Sequence, residues 1–588
     1  MKNLKNLQCW MKSNGINLFL LNRTDEFLSE YIAPYAERLQ WLSNFSGSAG
    51  RALVFQNKAL IFIDGRYTLQ VKEEVNKNIF QIKQLNKYFD YLKKNIRSHF
   101  NIAIDSNLHS IYEVNILRKI LITKIDTKII FLENNPIDYL WKNQPSYPNT
   151  KIFLHERKFA GESSISKIKK IQFILNSNSI DNYILSSLES IAWLLNIRGN
   201  DINFTPVTQS YVIIPKKGKI NFFINLNKID KIEKKISRIV KSFDIKKIKL
   251  FISLIDKKKI IGFDKLQTPY YFDKLCKKYK LKVRFLNDPC MYPRAQKNKV
   301  EISGAKKANL RDGVSLTKFI YWLKNKKFIQ KIDEIKASKY LLNLRKKNLN
   351  FYSLSFETIS AFGAHAAIPH YQVTNKSNLK FKKNQIYLID SGAQYKDGTT
   401  DITRTIIIGK SSKEQKDRFT RVLKGHIAVA SSLFNSKIKG SSIDLLARKS
   451  LNEINCDYDH GTGHGIGSFL SVHEGPQKIS KKEGILGDGS IKEGMIISNE
   501  PGFYKKNEYG IRTENLILTR KINTKIYFET ISFAPIDIDL IDMKLLTFKE
   551  MIWLDNYHKN VYYKLRSKLN IKEREWLKQV TKPLYINN

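Results

Sequence analysis

Residues 384–409 read NQIYLIDSGAQYKDGTTDITRTIIIG, two apolar, β-branched runs on either side of Asp397-Gly398. Asp-Gly between such runs is a strong hairpin signal, because both residues tolerate the positive φ of a tight turn. A loop made of those two residues alone sets Asp390 opposite Thr405. Asp401 then points to the same face four residues further along, an offset of about 13 Å. Two carboxylates that far apart cannot share an ion. The pair therefore needs a bulge or a wider loop that kinks it, as strands beside reactive sites often have. Exposed hairpin aspartates are the bland alternative. Ile386, Leu388, Ile402 and Ile406 argue against it, since strands this apolar are largely buried. A buried carboxylate requires a cation or several hydrogen-bond donors.

Two downstream stretches supply companions. Residues 460–475, HGTGHGIGSFLSVHEG, place His460, His464 and His473 in and after a loop whose glycines let backbone approach a site closely. No Lys-Ser/Thr follows, which argues against a phosphate loop. Glu500 precedes Pro501, so it is held extended and its carboxylate is presented at a strand end. Glu514, in GIRTENLIL, reads as sharing a strand face with Arg512, Leu516 and Leu518. Arg512 alone could satisfy it; a metal would satisfy it better. Six of the chain's ten histidines fall between His365 and His473. One imidazole with four carboxylates is a hard, oxygen-rich set that suits Mn²⁺ better than structural zinc. Four acidic groups exceed the needs of one divalent ion, and two ions bridged by carboxylates and a hydroxide fit. The residue set argues for a hydrolase.

The 588 residues exceed what one core supports, so two to four domains are expected, and 42% hydrophobic content is that of a globular protein. Cys9, Cys276, Cys290 and Cys456 show no paired spacing and read as free thiols in a reducing compartment. The apolar run Ile16 to Leu21 is too short for a signal peptide. No stretch reaches the roughly 20 apolar residues that span a bilayer, so a soluble cytoplasmic protein is expected. The net charge of +47 suggests nucleic acid on its own. The lysines, however, alternate with isoleucine and asparagine along the whole chain, as codon bias in an AT-rich genome produces. Nucleic-acid binding is not expected.

Three α/β blocks emerge, with boundaries near residues 145 and 290. In the first, Ala59 to Ile63 followed by Asp64-Gly65 reads as a strand entering a turn, and LENNPIDYLWKNQPSYPNTK (132–151) as a linker. In the second, YILSS, YVIIP and INFFINL read as strands. The third opens with an amphipathic helix whose buried stripe is Leu316, Phe319, Ile320 and Leu323. No internal repeat stands out.

LIDSGAQYKDGTTDITRT, HGTGHGIGSFLSVHEGP, NEPGFY and GIRTEN together resemble the metal-dependent aminopeptidases of the pita-bread fold, most closely the three-domain Xaa-Pro aminopeptidases. SEYIAPYAERLQWLSNFSGSAG and FIDGRY are similar to that family's creatinase-like N-terminal domain, and SLESIAWLLNIRGNDINFTPV to its middle domain. The resemblance implies an α/β (α+β) protein with creatinase-like domains at 1–145 and 146–290. A pita-bread catalytic domain follows at 291–524, and a C-terminal extension at 525–588 associated with homodimers. It makes Asp390 a ligand of one Mn²⁺, His464 and Glu500 ligands of the other, and Asp401 and Glu514 the bridges. His370 and His460 contact substrate, His473 binds the scissile carbonyl, and Glu500 also handles the proton of the bridging hydroxide. Arg512 supports Glu514 from outside the ligand set. His365 and His426 are left as structural.

The implied substrates are peptides with proline at position 2. An Xaa-Pro dipeptidase is the near alternative, disfavoured by length and the three-domain match. A catalytically dead relative that only binds proteins is a more distant one, disfavoured because all five ligands are present.

Overall fold

The computed structural model describes residues 2–435, 438–483, 486–487 and 489–584. The chain forms two compact units, Met1–His155 with Glu162–Met291, and Glu156–Gly161 with Tyr292–Asn588.

The first unit holds two six-stranded sheets. Strands β1 (Leu18–Asn22), β2 (Gly50–Phe55), β3 (Ala59–Ile63), β4 (Phe80–Gln84), β5 (Asn101–Asp105) and β6 (Lys128–Leu132) lie in the order 4-3-2-1-5-6. Strands β7 (Asn182–Leu185), β8 (Tyr211–Pro215), β9 (Ile220–Ile224), β10 (Val240–Asp244), β11 (Ile260–Phe263) and β12 (Lys282–Phe285) lie in the order 10-9-8-7-11-12. In each sheet the first strand pairs antiparallel with the second and parallel with the fifth. The same topology thus occurs twice, against the expectation of no repeat. Strands of four to six residues need only be apolar to fill this plan, so the repeat leaves no obvious sequence identity. The strands expected at 59–63 and 211–215 are present, and those expected at 183–187 and 220–226 are present as Asn182–Leu185 and Ile220–Ile224. The expected linker is only partly so: Asn135 caps a helix at Pro136–Leu140, whose Ile137 is buried.

The second unit opens with helix α1 (Lys299–Lys324). Asn298 Oδ1 accepts hydrogen bonds from the Val300 and Glu301 N–H groups, and the Glu301 carboxylate accepts from the Asn298 N–H, a complete capping box. Leu316, Phe319, Ile320 and Leu323 are buried as the periodicity requires. Helix α2 (Glu334–Arg345) follows. Three strands, β13 (Ile359–Phe362), β14 (Gln385–Ser391) and β15 (Ile402–Ile408), form one sheet with β14 central. A larger sheet contains β16 (Gly463–Gly465), β17 (Glu474–Ile479), β18 (Ile496–Asn499) and β19 (Asn515–Ile522), with β16 between β17 and β18. A short ribbon pairs Gly502–Lys505 with Tyr509–Arg512.

The acidic hairpin takes the wider form. β14 pairs with β15 so that Asp390 faces Thr403, not Thr405. Residues between them fold away as a small hairpin of their own, Ala393–Tyr395 against Gly398–Thr399. Gly392 makes the crossing possible, for a Cβ there would stand 1.9 Å from the Thr400 carbonyl oxygen. Asp401 is left one residue before β15 and two from Thr403, roughly 7 Å along the strand from the level of Asp390.

Candidate metal centre

Strand ends from the two sheets converge on one pocket of carboxylates. Asp390 sits near the end of β14 and Asp401 just before β15. His464 is central in β16, Glu500 directly follows β18, and Glu514 directly precedes β19. Backbone and hydroxyl bonds stitch these ends together. The Glu514 N–H donates to the Thr403 carbonyl at 3.2 Å, and the Thr403 hydroxyl donates to Glu514 Oε2 at 2.7 Å. The Glu500 N–H donates to the Thr462 carbonyl at 2.8 Å, and the His464 N–H to Ser498 Oγ at 2.9 Å.

Asp401, His464 and Glu514 each offer a ligand atom within 4.8 Å of the others. His464 Nε2 lies 3.4 Å from Glu500 Oε1 and 3.6 Å from Asp401 Oδ2. Asp390 pairs with Arg512 through Oδ2 at 2.6 Å, while its buried Oδ1 receives no hydrogen bond among the described residues. The His473 ring packs edge-on against His464, centroids 4.3 Å apart.

The electrostatics state what the set lacks. Burial, then the charges of Glu514, Asp390 and Glu500, pushes the Asp401 carboxyl well above its ordinary range. Burial, then Asp390 and Glu500, does the same to Glu514. Glu500 rises to about 7, chiefly by burial and with Asp390 adding to it, although Arg512 and His473 oppose the rise. Like charges crowded in a low-dielectric pocket hold protons unless cations replace them. One guanidinium cannot balance four carboxylates. The donor chemistry, the spare Asp390 Oδ1 and this charge excess all fit divalent cations bound to oxygen-rich ligands.

The expectation that Arg512 and Glu514 share one strand face does not hold. Arg512 ends the short ribbon and Glu514 begins after a break at Thr513, on the way into another sheet. Arg512 ion-pairs with Asp390, its charge opposes the rise of Glu514, and it is hydrogen-bonded towards Glu514 through Thr403, whose hydroxyl lies 3.4 Å from its Nε. Its Nη1 donates to Tyr504 Oη at 2.7 Å, and Tyr504 Oη lies 2.8 Å from His460 Nε2. His460 Nδ1–H donates to the Gly461 carbonyl at 2.8 Å, which leaves Nε2 as the acceptor of the Tyr504 hydroxyl in the neutral ring. Arg512 Nη2 also donates to the Pro369 carbonyl at 3.2 Å, beside His370. A single guanidinium thereby joins Asp390 to the segments that carry His370 and His460. Tyr504, Thr403 and Ser498 were not picked out by the sequence. Only Tyr504 left a signal, as an aromatic residue four positions after Glu500.

His426 is fully buried, donates from Nδ1 to the Asn499 carbonyl and accepts from Asn515 Nδ2. Burial, helped by Arg404, lowers it to about 3, so it is a neutral structural ring.

Comparison with known proteins identifies the family. Residues 303–521 match the model of metallopeptidase family M24, and 525–584 match the C-terminal region of that peptidase. Residues 3–131 and 143–301 each match a creatinase/prolidase N-terminal domain. The chain is 34% identical to Xaa-Pro aminopeptidase 1 of Dictyostelium discoideum, over 99% of this chain and 96% of that one. It is equally identical to a probable Xaa-Pro aminopeptidase P of Laccaria bicolor, over 99% and 93%. The crystal structure of the X-prolyl aminopeptidase of Caenorhabditis elegans, described as a cytosolic enzyme with a di-nuclear active site, superimposes with a TM-score of 0.92. It shares 30% identity and covers 97% of this chain and 95% of its own. A prolidase from Pyrococcus horikoshii shares the fold over 63% of this chain, with a TM-score of 0.51 and 23% identity.

Proposed function

This chain belongs to the Xaa-Pro aminopeptidases of metallopeptidase family M24, and from that premise we propose that it removes the first residue of peptides whose second residue is proline. The observation that carries the reading is the convergence of Asp401, His464 and Glu514 with Glu500 and Asp390 around one pocket. Two divalent cations, Mn²⁺ in our proposal, would be held there, with Asp390 as a ligand of one, His464 and Glu500 as ligands of the other, and Asp401 and Glu514 shared between them. When bound, they acidify water and polarise the scissile carbonyl.

The chain's own groups do the rest. Glu500, 3.4 Å from His464 Nε2 at the end of its strand, takes and returns a proton during amide cleavage. His473, packed on His464, donates to the carbonyl oxygen as charge builds on it. His370 and His460 hold the substrate, and Arg512 and Tyr504 fix the rings and carboxylates relative to one another. An Xaa-Pro amide has no N–H, so proteases that read that donor handle it poorly. A site that fixes the N-terminal residue and accepts the ring does not need it.

We also propose the division into domains at 1–145, 146–290, 291–524 and 525–588. A homodimer is supported by the exposed apolar side chains Phe548, Ile552, Tyr563 and Ile571 in the C-terminal segment. A cytosolic setting is supported by four free cysteines. No helix among the described residues is long and apolar enough to cross a membrane.

Purified protein with Mn²⁺ should cleave Xaa-Pro-Yaa tripeptides. Turnover of Xaa-Pro dipeptides alone would make it a dipeptidase instead, and inactivity at full metal occupancy would sink both readings.

A further inference from the structure

His365 matches no functional position that the family resemblance implies, and Glu334 carries no signal in the sequence. In the fold they meet, and they bracket His370. Glu334 stands in the first turn of α2 with no exposed side-chain surface. Its Oε1 accepts from the Phe362 N–H at 2.8 Å and from His365 Nδ1–H at 2.9 Å. Its Oε2 accepts from the Leu379 N–H at 2.9 Å and from the Tyr371 hydroxyl at 3.2 Å. His365 stacks on Tyr371, ring centroids 4.3 Å apart. One carboxylate therefore ties residues 362, 365, 371 and 379 together. Between them runs a loop with no strand pairing of its own from Gly363 to Tyr371.

The opposite side of that loop is fixed as well. Its backbone lies directly on the Tyr509–Arg512 strand: a Cβ at Gly510 would fall 1.7 Å from the Ala366 carbonyl oxygen. Arg512 holds the Pro369 carbonyl. His370 is the residue between the Pro369 held by Arg512 and the Tyr371 held by Glu334.

We propose that Glu334 is a positioning residue for His370, acting through His365 and Tyr371 to set the loop that presents His370 to the substrate. A carboxylate is the side chain that can accept four donors at once. Glutamine of the same shape would turn one acceptor into a donor facing two of them. A shift of about 1 Å in a substrate-holding group costs up to about 10²-fold. This inference rests on the proposed role of His370 as a substrate contact.

The test is a double-mutant cycle on the metal-loaded enzyme with an Xaa-Pro-Yaa tripeptide, comparing wild type, Glu334→Gln, His370→Ala and the double variant. Thermal stability and metal content are read alongside. Expected is a KM raised about tenfold in Glu334→Gln with a smaller change in kcat, and no further rise when it is added to His370→Ala. Metal content stays at the wild-type level. Additive effects of the two substitutions would overturn the proposal, as would a fall in kcat and stability at constant KM, the mark of a merely structural group. No effect of His370→Ala alone would instead overturn the substrate role of His370. Should Glu334→Gln not fold, His365→Gln, which removes one donor of the four, enters the same cycle. It is expected to raise KM less and to be masked by His370→Ala in the same way; additivity there again overturns the proposal.

Discussion

Asp201 in the N-terminal unit and Asp401 in the C-terminal unit are both nearly inaccessible carboxylates, and their surroundings are opposites. Asp201 accepts from Lys228 Nζ at 2.6 Å, from the Thr208 hydroxyl at 2.9 Å, from the Gln209 N–H at 2.8 Å and from the Thr150 hydroxyl at 2.6 Å. Its charge is answered within the protein. Asp401 faces Glu514, Asp390 and Glu500, with Arg512 as the counter-charge that reaches it. The first arrangement stabilises a fold. The second withholds compensation and so keeps a place for cations, at a cost to the metal-free protein. The contrast teaches where function sits: in the buried charge that the protein leaves unanswered.

Breaking the unanswered site should have the largest effect. Loss of an outer partner of a metal ligand typically costs about 10–100-fold. Asp401→Ala, which removes a proposed ligand of both ions, should lower kcat/KM on a tripeptide by about 10³-fold or more. The same substitution should leave the metal-stripped protein at least as stable to heat as the metal-stripped wild type, because it relieves repulsion. Asp201→Ala should behave in reverse. Stranding Lys228 should cost about 3–5 kcal/mol in denaturant titration, while the folded fraction turns over normally.

Tyr504→Phe tests the link between the proposed ligands and His460. It removes the hydroxyl that lies between Arg512 and His460, and about a 10–100-fold loss in kcat/KM is expected with both cations retained. The smallest effect is a pH dependence of opposite sign in the two units. Glu113 in the N-terminal unit would be raised by burial, but the Arg51 guanidinium, with His109 and Ser110, holds it below 4.5. Its contribution to stability is present above its unfolded pKa and is lost as pH falls through the folded one. Glu500, at about 7 in the metal-free fold, binds a proton that the unfolded chain releases near 4.5. Metal-stripped protein should therefore lose stability as pH rises from about 4.5 through about 7, and added metal should abolish that slope.

Much of the catalytic unit was legible in the sequence. Asp390, Asp401, His464, Glu500 and Glu514 were separable from ordinary surface charge because each sits among strand-forming apolar residues or beside glycine and proline. The hairpin register was not legible. The 13 Å offset showed that a simple two-residue loop fails, but the second small hairpin that resolves it depends on Gly392 lying against Thr400, a tertiary contact. The ion pair of Arg512 with Asp390, beside its link to Glu514 through Thr403, was not legible for a related reason: the strand breaks at Thr513, and nothing local marks the break. The repeated sheet of the N-terminal unit stayed hidden because many apolar residues serve equally well in a five-residue strand. Glu334 was invisible, since a glutamate at the start of a helix is expected there for the helix dipole alone.

The central claim is that the unanswered carboxylates hold two divalent cations. Calorimetric titration of the metal-stripped protein with Mn²⁺, checked by elemental analysis of the loaded protein, tests it most directly. Two equivalents per chain in the wild type, and at most one in Asp401→Ala, are predicted. A stoichiometry of zero or one in the wild type, or two undiminished in Asp401→Ala, would contradict it.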